Sequence, residues 1–436
     1  MGALFPKTPV PKNSFCITNV NLIDGTGGHV KEGASILIKD GVIAEVMDSS
    51  VSTEHGEDVV LINADGAFLL PGFIDAHLHF GVNLELNPVY LQRRLAVETV
   101  FDTAANLRKT LMAGVTTARD LGGIDAGYRR AISDGKILGP RMHIAIAPLS
   151  PTGGHTDFCL PNGQNVDPGL AVIDPVVDTD DEVRKRVRRL VRDGADVIKV
   201  CTTGGVSSPT DTPNDVGITD KQVAIIVEEM AKRAGQPVAA HAQGCEGIHH
   251  ALRGGITSVE HGYEIDDAGI SYMKENDVYL VPTLSAALRV PNPKVVPDYL
   301  YEKKVVWSAT AKAHVSRAIK AGVKVAMGTD AGVCPHGQNL KELGHLVDLG
   351  LSPMQAIQAG TINAARLLRL DGQIGTVEKG KTADLVLTRI DPLENIHMLA
   401  KPESIIGIIQ GGRVVKDEEE IFEVGGLFEF GKGSND

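Results

Sequence analysis

His77, His79, Lys199, His241, His261 and Asp330 are the residues of this chain best suited to do chemistry together. His77 and His79 close the stretch LLPGFIDAHLHF, residues 69–80. Side chains alternate faces along a strand, so two imidazoles one residue apart point the same way and make half of a metal site. Pro71-Gly72 punctuates the start of that strand, while Ile74, Ala76 and Leu78 turn the opposite way, as a strand backed by helices requires. A bare H-x-H is more often a solvated strand end, so the reading depends on further ligands downstream. Imidazole and carboxylate together suit Zn2+ and similar divalent ions. Lys199 does not fit that set as it stands, because an ammonium repels a metal; its plain role is a salt bridge to an inward carboxylate. If the same nitrogen reacts with CO2, it becomes a carbamate, an anion whose two oxygens can bridge two metals. The residues alone leave both roles open.

Six positions so far apart need a scaffold that gathers them. Residues 71–372 alternate strand and helix signals, with strands expected at 72–79, 115–120, 141–147, 196–201, 237–241, 256–261, 278–282 and 323–330. Helices are expected at 93–112, 180–193, 219–234, 245–253, 266–276, 302–321 and 353–369. Thr219 and Gln222 make a capping box, and most helices are followed by a Gly that can end them in the left-handed conformation. Eight strands alternating with helices predict an α/β chain folded as a (β/α)8 barrel, with an open doubly wound sheet as the alternative. In such a barrel the C-terminal ends of the strands face the active site, and all six residues fall at such ends.

The flanks have another texture. After a Pro-containing arm (residues 1–13), short β runs from Phe15 to Leu70 are separated by Asp24-Gly25, Asp40-Gly41 and Asp65-Gly66, which reads as hairpins. The runs ADLVLTRI and IIGIIQGGRVV near the end look alike. The expected organisation is therefore one small β-sandwich built from residues 1–70 and 373–436, interrupted by a barrel over 71–372.

The 436 residues carry a net charge of −12 with no basic stripe, which argues against nucleic-acid binding. No apolar run approaches a membrane span, and the N-terminal residues lack the features of a signal peptide. Five scattered cysteines without a C-x-x-C pair fit a reduced, cytoplasmic protein.

The motifs PGFIDAHLHF, VIKVCTTGG, AAHAQG, SVEHG, GTDAG and IGTVEKGKTADLVL together resemble the amidohydrolase superfamily. The likeness is to its imidazolonepropionase-related branch, with metal-dependent dipeptidases and carboxypeptidases and ochratoxinase-like amidohydrolases. The resemblance implies two divalent ions per chain, zinc being the expected metal. His77, His79, Asp330 and a CO2-derived carbamate on Lys199 would hold one ion; the carbamate, His241 and His261 would hold the second. Lys at the strand-4 position departs from mononuclear deaminases and favours a binuclear hydrolase. The implied reaction is attack of a metal-bridging hydroxide on an amide carbonyl polarised with help from His155, while Asp330 moves the proton to the leaving amine. Tyr263, by resemblance, and Arg289, as a loop cation, are the candidate groups for a substrate carboxylate.

Other residues receive plainer roles. Cys201 should line the barrel, His249-His250 should lie at the surface, and His336 should belong to a loop. The basic run Arg184 to Arg189 should be a solvated helix face. The expected function is hydrolysis of amide or peptide bonds in dipeptides or N-acyl amino acids, small-molecule substrates, by a homo-oligomer. The alternatives are a hydrolase of a xenobiotic or mycotoxin amide or carbamate, a mononuclear deaminase or imidazolone hydrolase, and a non-catalytic scaffold.

Overall fold

A computed structural model describes residues 14–48, 59–82, 93–160, 162–170 and 172–422. The Pro-containing arm of residues 1–13 lies outside them. Five strands come first: β1 (Phe15–Leu22), β2 (Lys31–Lys39), β3 (Val42–Met47), β4 (Val60–Asn63) and β5 (Phe68–Pro71). A middle series follows: β6 (Phe73–Leu78), β7 (Val115–Asp120), β8 (Arg141–Ile144), β9 (Pro148–Leu149), β10 (Ile198–Cys201), β11 (Val238–Ala242), β12 (Ser258–His261) and β13 (Tyr279–Val281). The last three are β14 (Leu385–Thr388), β15 (Ile405–Gln410) and β16 (Arg413–Asp417).

Both chain ends share one eight-stranded sheet in the order β16-β15-β14-β5-β1-β2-β3, with β4 also on β1. The join is the antiparallel pairing of β5 with β14, where Pro71 faces Leu385. Alternate residues of these strands, Phe15, Ile17, Ile36, Ile38, Leu385 and Leu387, are buried with Phe422, which follows β16, in one apolar cluster. Asp40 and Gly41, both at positive φ, turn β2 back onto β3 as expected. Asp65-Gly66 does not make a hairpin: β4 and β5 both run parallel to β1, so this turn only steps the chain along the same edge. Asp24-Gly25 does lie in a hairpin connection, since β1 and β2 pair antiparallel across a longer loop.

The middle strands are parallel throughout, β6-β7-β8 in one sheet and β9 to β13 in another. Most are buried along their whole length, as parallel strands covered by helices must be. Residues 323–331 run parallel to two strands at once, bridging Val325 to Leu280 and Ala331 to Leu78. Met327 O accepts from Ala76 N–H at 2.8 Å, and His77 O accepts from Asp330 N–H at 2.7 Å. At the other seam, Asp196 N–H donates to Ile144 O at 2.9 Å.

Helices occupy Ala96–Met112, Asp180–Arg192, Asp220–Ala231, Cys245–Arg253, Asp267–Glu275 and Asp298–Lys320, close to expectation, and the Thr219/Gln222 capping box forms. Two further helices, Ala126–Ser133 and Lys341–Asp348, were not legible because eight residues are too short to repeat an apolar period. The helix expected at 353–369 is broken at Ala359–Asn363 by a wider turn, and the Ala359 carbonyl there accepts from Met327 N–H at 2.9 Å. The basic run corrects another expectation. Arg184 and Arg188 reach across to Glu229 on the neighbouring helix, so part of that face is an ion-paired interhelix contact.

Candidate metal centre and active site

The ends of β6, β10, β11, β12 and the 323–331 segment converge on one buried cluster. The rings of His77 and His79 lie 5.3 Å apart, His77 and His261 4.9 Å, and His241 and His261 4.6 Å. Nε2 of His77 is 3.6 Å, and Nε2 of His79 3.4 Å, from one carboxylate oxygen of Asp330. One ligand atom from each of these three buried residues fits within 4.8 Å of the others.

Each imidazole has one nitrogen committed and one free. His79 Nδ1–H donates to Gly122 O at 2.9 Å, and His241 Nε2–H donates to Gly204 O at 3.0 Å. His77 Nδ1 pairs with Glu260 Oε2 at 2.8 Å. Thr283 Oγ1–H is spent on Pro282 O, so the oxygen accepts from His261 Nδ1–H at 2.8 Å. Nε2 of His77, His79 and His261, and Nδ1 of His241, are therefore the lone-pair nitrogens. Burial, reinforced by nearby positive charge, holds His77, His241 and His261 well below the usual histidine range, so all three are neutral. Neutral rings fixed through their second nitrogen, beside an aspartate, are a donor set that fits a divalent ion.

Lys199 is 3% exposed and, among the described residues, makes no ion pair. Burial lowers its pKa, with Glu260 and Asp330 as opposing charges further off. The salt bridge considered from sequence is thus not formed. His155 joins the cluster through its loop: its ring stacks on His241 at 4.2 Å, and Nδ1 pairs with Asp211 Oδ2 at 3.2 Å. The stack needs Gly205, where a Cβ would lie 2.1 Å from the His155 ring. Gly328 is similar, since its Cβ would sit 2.8 Å from that of His77. Tyr263 is buried with its ring 5.4 Å from His261 and its hydroxyl 3.4 Å from Thr283 Oγ1; burial raises its pKa. Arg289 is exposed and set apart from the rings. It lines an adjacent cavity of ≈ 400 Å³ with Arg94, Lys109 and His336, and its Nη1 reaches Val333 O at 3.4 Å. Cys201 is buried near Lys199, and His336 stacks on Phe80, both in supporting roles.

Several supporting groups were not singled out from sequence. Glu260 sits between His77 Nδ1 and Arg119 Nη2, each at 2.8 Å, and both Glu260 and Arg119 are fully buried. Strand alternation sends Glu260 and His261 to opposite faces, yet both meet His77. The positive φ of His261 (74°) breaks the alternation, and Asp330 (59°) and Thr283 (51°) carry the same strained conformation at their own strand ends. Lys303 donates to the carbonyls of Gly205 (3.3 Å), Ser208 (2.8 Å) and Asp211, pinning the loop that orients both His155 and His241. A lysine on a long helix carries no sequence signal for that task.

Parallel strands with helices between them, and a histidine-aspartate cluster at their C-terminal ends, define an α/β protein with a candidate metal-binding active site. Residues 68–415 match the model of the amidohydrolase family. Ochratoxinase from Aspergillus niger is 33% identical over 414 residues, covering 91% of this chain and 85% of that one. The solved A. niger ochratoxinase superposes with a TM-score of 0.83 over 96% of this chain and 98% of its own, at 30% identity. A Xaa-Pro dipeptidase with bound methionine in the active site gives 0.83 at 32% identity, covering 92% and 100% of the two chains. A prolidase complexed with N-methylphosphonate-L-proline gives 0.84 at 29% identity, covering 93% and 100%. The chain belongs to the amidohydrolase family, and it is a hydrolase.

Proposed function

We propose that this protein is a binuclear metal-dependent amidohydrolase that cleaves the amide bond of dipeptides or N-acyl amino acids. The observation that carries the reading is Lys199, a buried amine without an ion pair among the described residues, beside neutral, oriented imidazoles. Carboxylation by CO2 replaces a cation that repels metals with an anion that binds them. In this reading His77, His79, Asp330 and the Lys199 carbamate hold one ion, and the carbamate, His241 and His261 hold the other. Zinc is the proposed metal, given the nitrogen and oxygen donors. Bound divalent ions supply Lewis acidity, lowering the pKa of water and polarising a carbonyl.

The chain's own residues do the rest. Asp330 takes a proton from the attacking water and passes it to the leaving amine. His155, in its cationic form with Nδ1–H donating to Asp211, would donate Nε2–H to the carbonyl oxygen as negative charge develops there. Tyr263 donates its hydroxyl to the free α-carboxylate of the substrate, with Arg289 as a second, outer cation. Bound methionine and the proline-phosphonate in the two peptidase structures support a carboxylate-bearing substrate. Hydrolysis of a xenobiotic or mycotoxin amide is the second reading, favoured by the identity with ochratoxinase.

We also propose that the parallel strands close as a (β/α)8 barrel over residues 71–372. Residues 1–70 and 373–436 would form a β-sandwich. The double bridging of residues 323–331 supports closure, and the shared terminal sheet supports the sandwich. A cytoplasmic setting is supported by five free thiols. Among the described residues no helix is long and apolar enough to cross a membrane. A homo-oligomer is supported by exposed Val97, Val100 and Phe101 on one helix, and light scattering tests it.

The central test joins metal content to substrate choice. Active protein should hold about two divalent ions per chain and lose activity to chelators. It should cleave an N-acyl amino acid faster than the C-terminal amide of the same compound. A charge-assisted hydrogen bond is worth roughly 1.5–3 kcal/mol, so Tyr263→Phe should cost on the order of tenfold to a hundredfold in kcat/KM on the acid alone. One ion per fully active chain overturns the binuclear reading; a wild type that prefers the neutral amide moves the second reading ahead.

A further inference from the structure

We propose that Cys245, His249 and Asp266 form a separate metal site on the outer rim, one that takes a thiophilic divalent ion such as Zn2+ or Co2+. Cys245 and His249 stand one turn apart on the Cys245–Arg253 helix and therefore share a face. Asp266 reaches them from the next helix, where it is the N-cap of Asp267–Glu275. One ligand atom from each residue lies within 4.8 Å of the other two, and all three residues are half-buried. His249 Nε2 is already 3.1 Å from an Asp266 oxygen. With metal–sulfur bonds of about 2.3 Å and metal–nitrogen or –oxygen bonds of about 2.0–2.2 Å, donors around one ion stand roughly 3–4 Å apart, within reach of a small side-chain adjustment.

The chemistry is as specific as the spacing. Sulfur, imidazole nitrogen and carboxylate oxygen together suit borderline ions and not Mg2+ or Ca2+. Glu264, whose Oε2 accepts from Cys245 N–H at 3.1 Å, is at hand for a fourth position, with water as the other occupant. The His249–Asp266 ion pair and the Asp266 cap tie two of these residues together, and the Cys245 thiol hydrogen-bonds to the same Asp266, so all three side chains already meet around one carboxylate. On binding, the sulfur–hydrogen bond is replaced by a sulfur–metal bond and the proton leaves to solvent. The ion would tie together the helices that follow β11 and β12, the strands that carry His241 and His261. Such a clip holds the spacing of the active-site rim without touching the substrate.

The test uses full-length protein that keeps Zn2+ at its catalytic centre and has been dialysed free of loosely held metal, so that the outer site is open to Co2+. Added Co2+ should bind at one further equivalent per chain and produce a near-ultraviolet thiolate-to-cobalt charge-transfer band. The histidine centre has no cysteine among its proposed ligands, so this band is independent of how many ions that centre holds. Cys245→Ser should lose the band and the extra equivalent while basal activity stays unchanged. His249→Ala should weaken Co2+ binding on the order of tenfold or more. A band that survives in Cys245→Ser, or Co2+ binding without any band, overturns the proposal. If that variant does not fold, wild-type alkylation decides: saturating Zn2+ should protect Cys245 but not exposed Cys159, as read by peptide mass analysis. Equal labelling of Cys245 with and without Zn2+ also overturns it.

Discussion

Taking an ammonium out of water costs several kcal/mol unless it is paired, so the burial of Lys199 favours its neutral amine. The proposed carboxylation starts from that neutral amine, whose pKa burial lowers. Lys199→Ala should therefore lose nearly all activity and part of its bound metal, and small carboxylic acids should restore a measurable fraction by occupying the position of the carbamate. Steady-state assays with and without such acids check this. A variant that keeps full activity, or mass analysis of active enzyme showing a bare amine, refutes the role. At this scale the sequence was most legible for residues obeying strand alternation: His77, His79, Lys199 and His241 each end up on the face their register implies. Glu260 and Arg119 were not legible, because Glu260 keeps the strand face of Ser258, and only the left-handed backbone at His261 brings the next side chain to His77 as well. No residue type in SVEHG announces that twist. His155 was visible from its glycines, while its partner Asp211, across a long loop, was not.

Elements are held to each other by polar clamps as well as by the apolar core. Glu229 is 6% exposed and accepts from Arg188 at 2.9 and 3.1 Å and from Lys232 at 3.0 Å, with Arg184 also bound, so it fastens the Asp180–Arg192 helix to Asp220–Ala231. The hydrogen bonds from Arg188 and its companions depress the Glu229 carboxyl well below its usual range. A carboxylate with a folded pKa below its unfolded value adds stability that is fully present above the unfolded pKa. That stability is lost as pH falls from about 4.5 toward the folded pKa. Glu229→Gln should cost about 1.5–3 kcal/mol at neutral pH, and the difference from wild type should shrink in acid. Urea denaturation at two pH values measures it; a gap that widens in acid contradicts the sign. The two helices were legible from their caps and apolar spacing. The clamp was not, because a basic run after three acids looks the same whether it faces water or a neighbouring helix. The 353–369 helix shows the converse limit, since its break serves a carbonyl required by the distant Met327.

In the whole molecule, the terminal sheet and the parallel strands meet along a seam that gathers on Asp384. Its Oδ2 pairs with Arg141 Nη1 at 2.6 Å, its Oδ1 accepts from Gly411 N–H at 2.7 Å, and its carbonyl accepts from Gly72 N–H at 2.7 Å. Three distant stretches thus converge on one residue: the start of β8, the β15–β16 turn and the β5–β6 junction. That both ends share a sheet was readable from their common texture, but nothing in ADLVL shows that its aspartate faces Arg141 across the chain. Gln410 reinforces the seam by donating to Thr116 O at 2.9 Å. Because β5 runs into β6 through a single residue, Gly72, strain in the sheet passes directly to the strand carrying His77. The two parts should therefore unfold together. Asp384→Asn keeps an oxygen for Gly411 but removes the charge that Arg141 needs, at a cost of about 1.5–3 kcal/mol. The sole tryptophan, Trp307, lies in the Asp298–Lys320 helix and reports on the parallel-strand part alone, whereas far-ultraviolet dichroism reports on the whole chain. In the variant both signals should fall at one lowered midpoint. A dichroism transition that precedes the fluorescence change would instead mean that the terminal sheet melts on its own, and that the seam, not the shared chain path, couples the two parts.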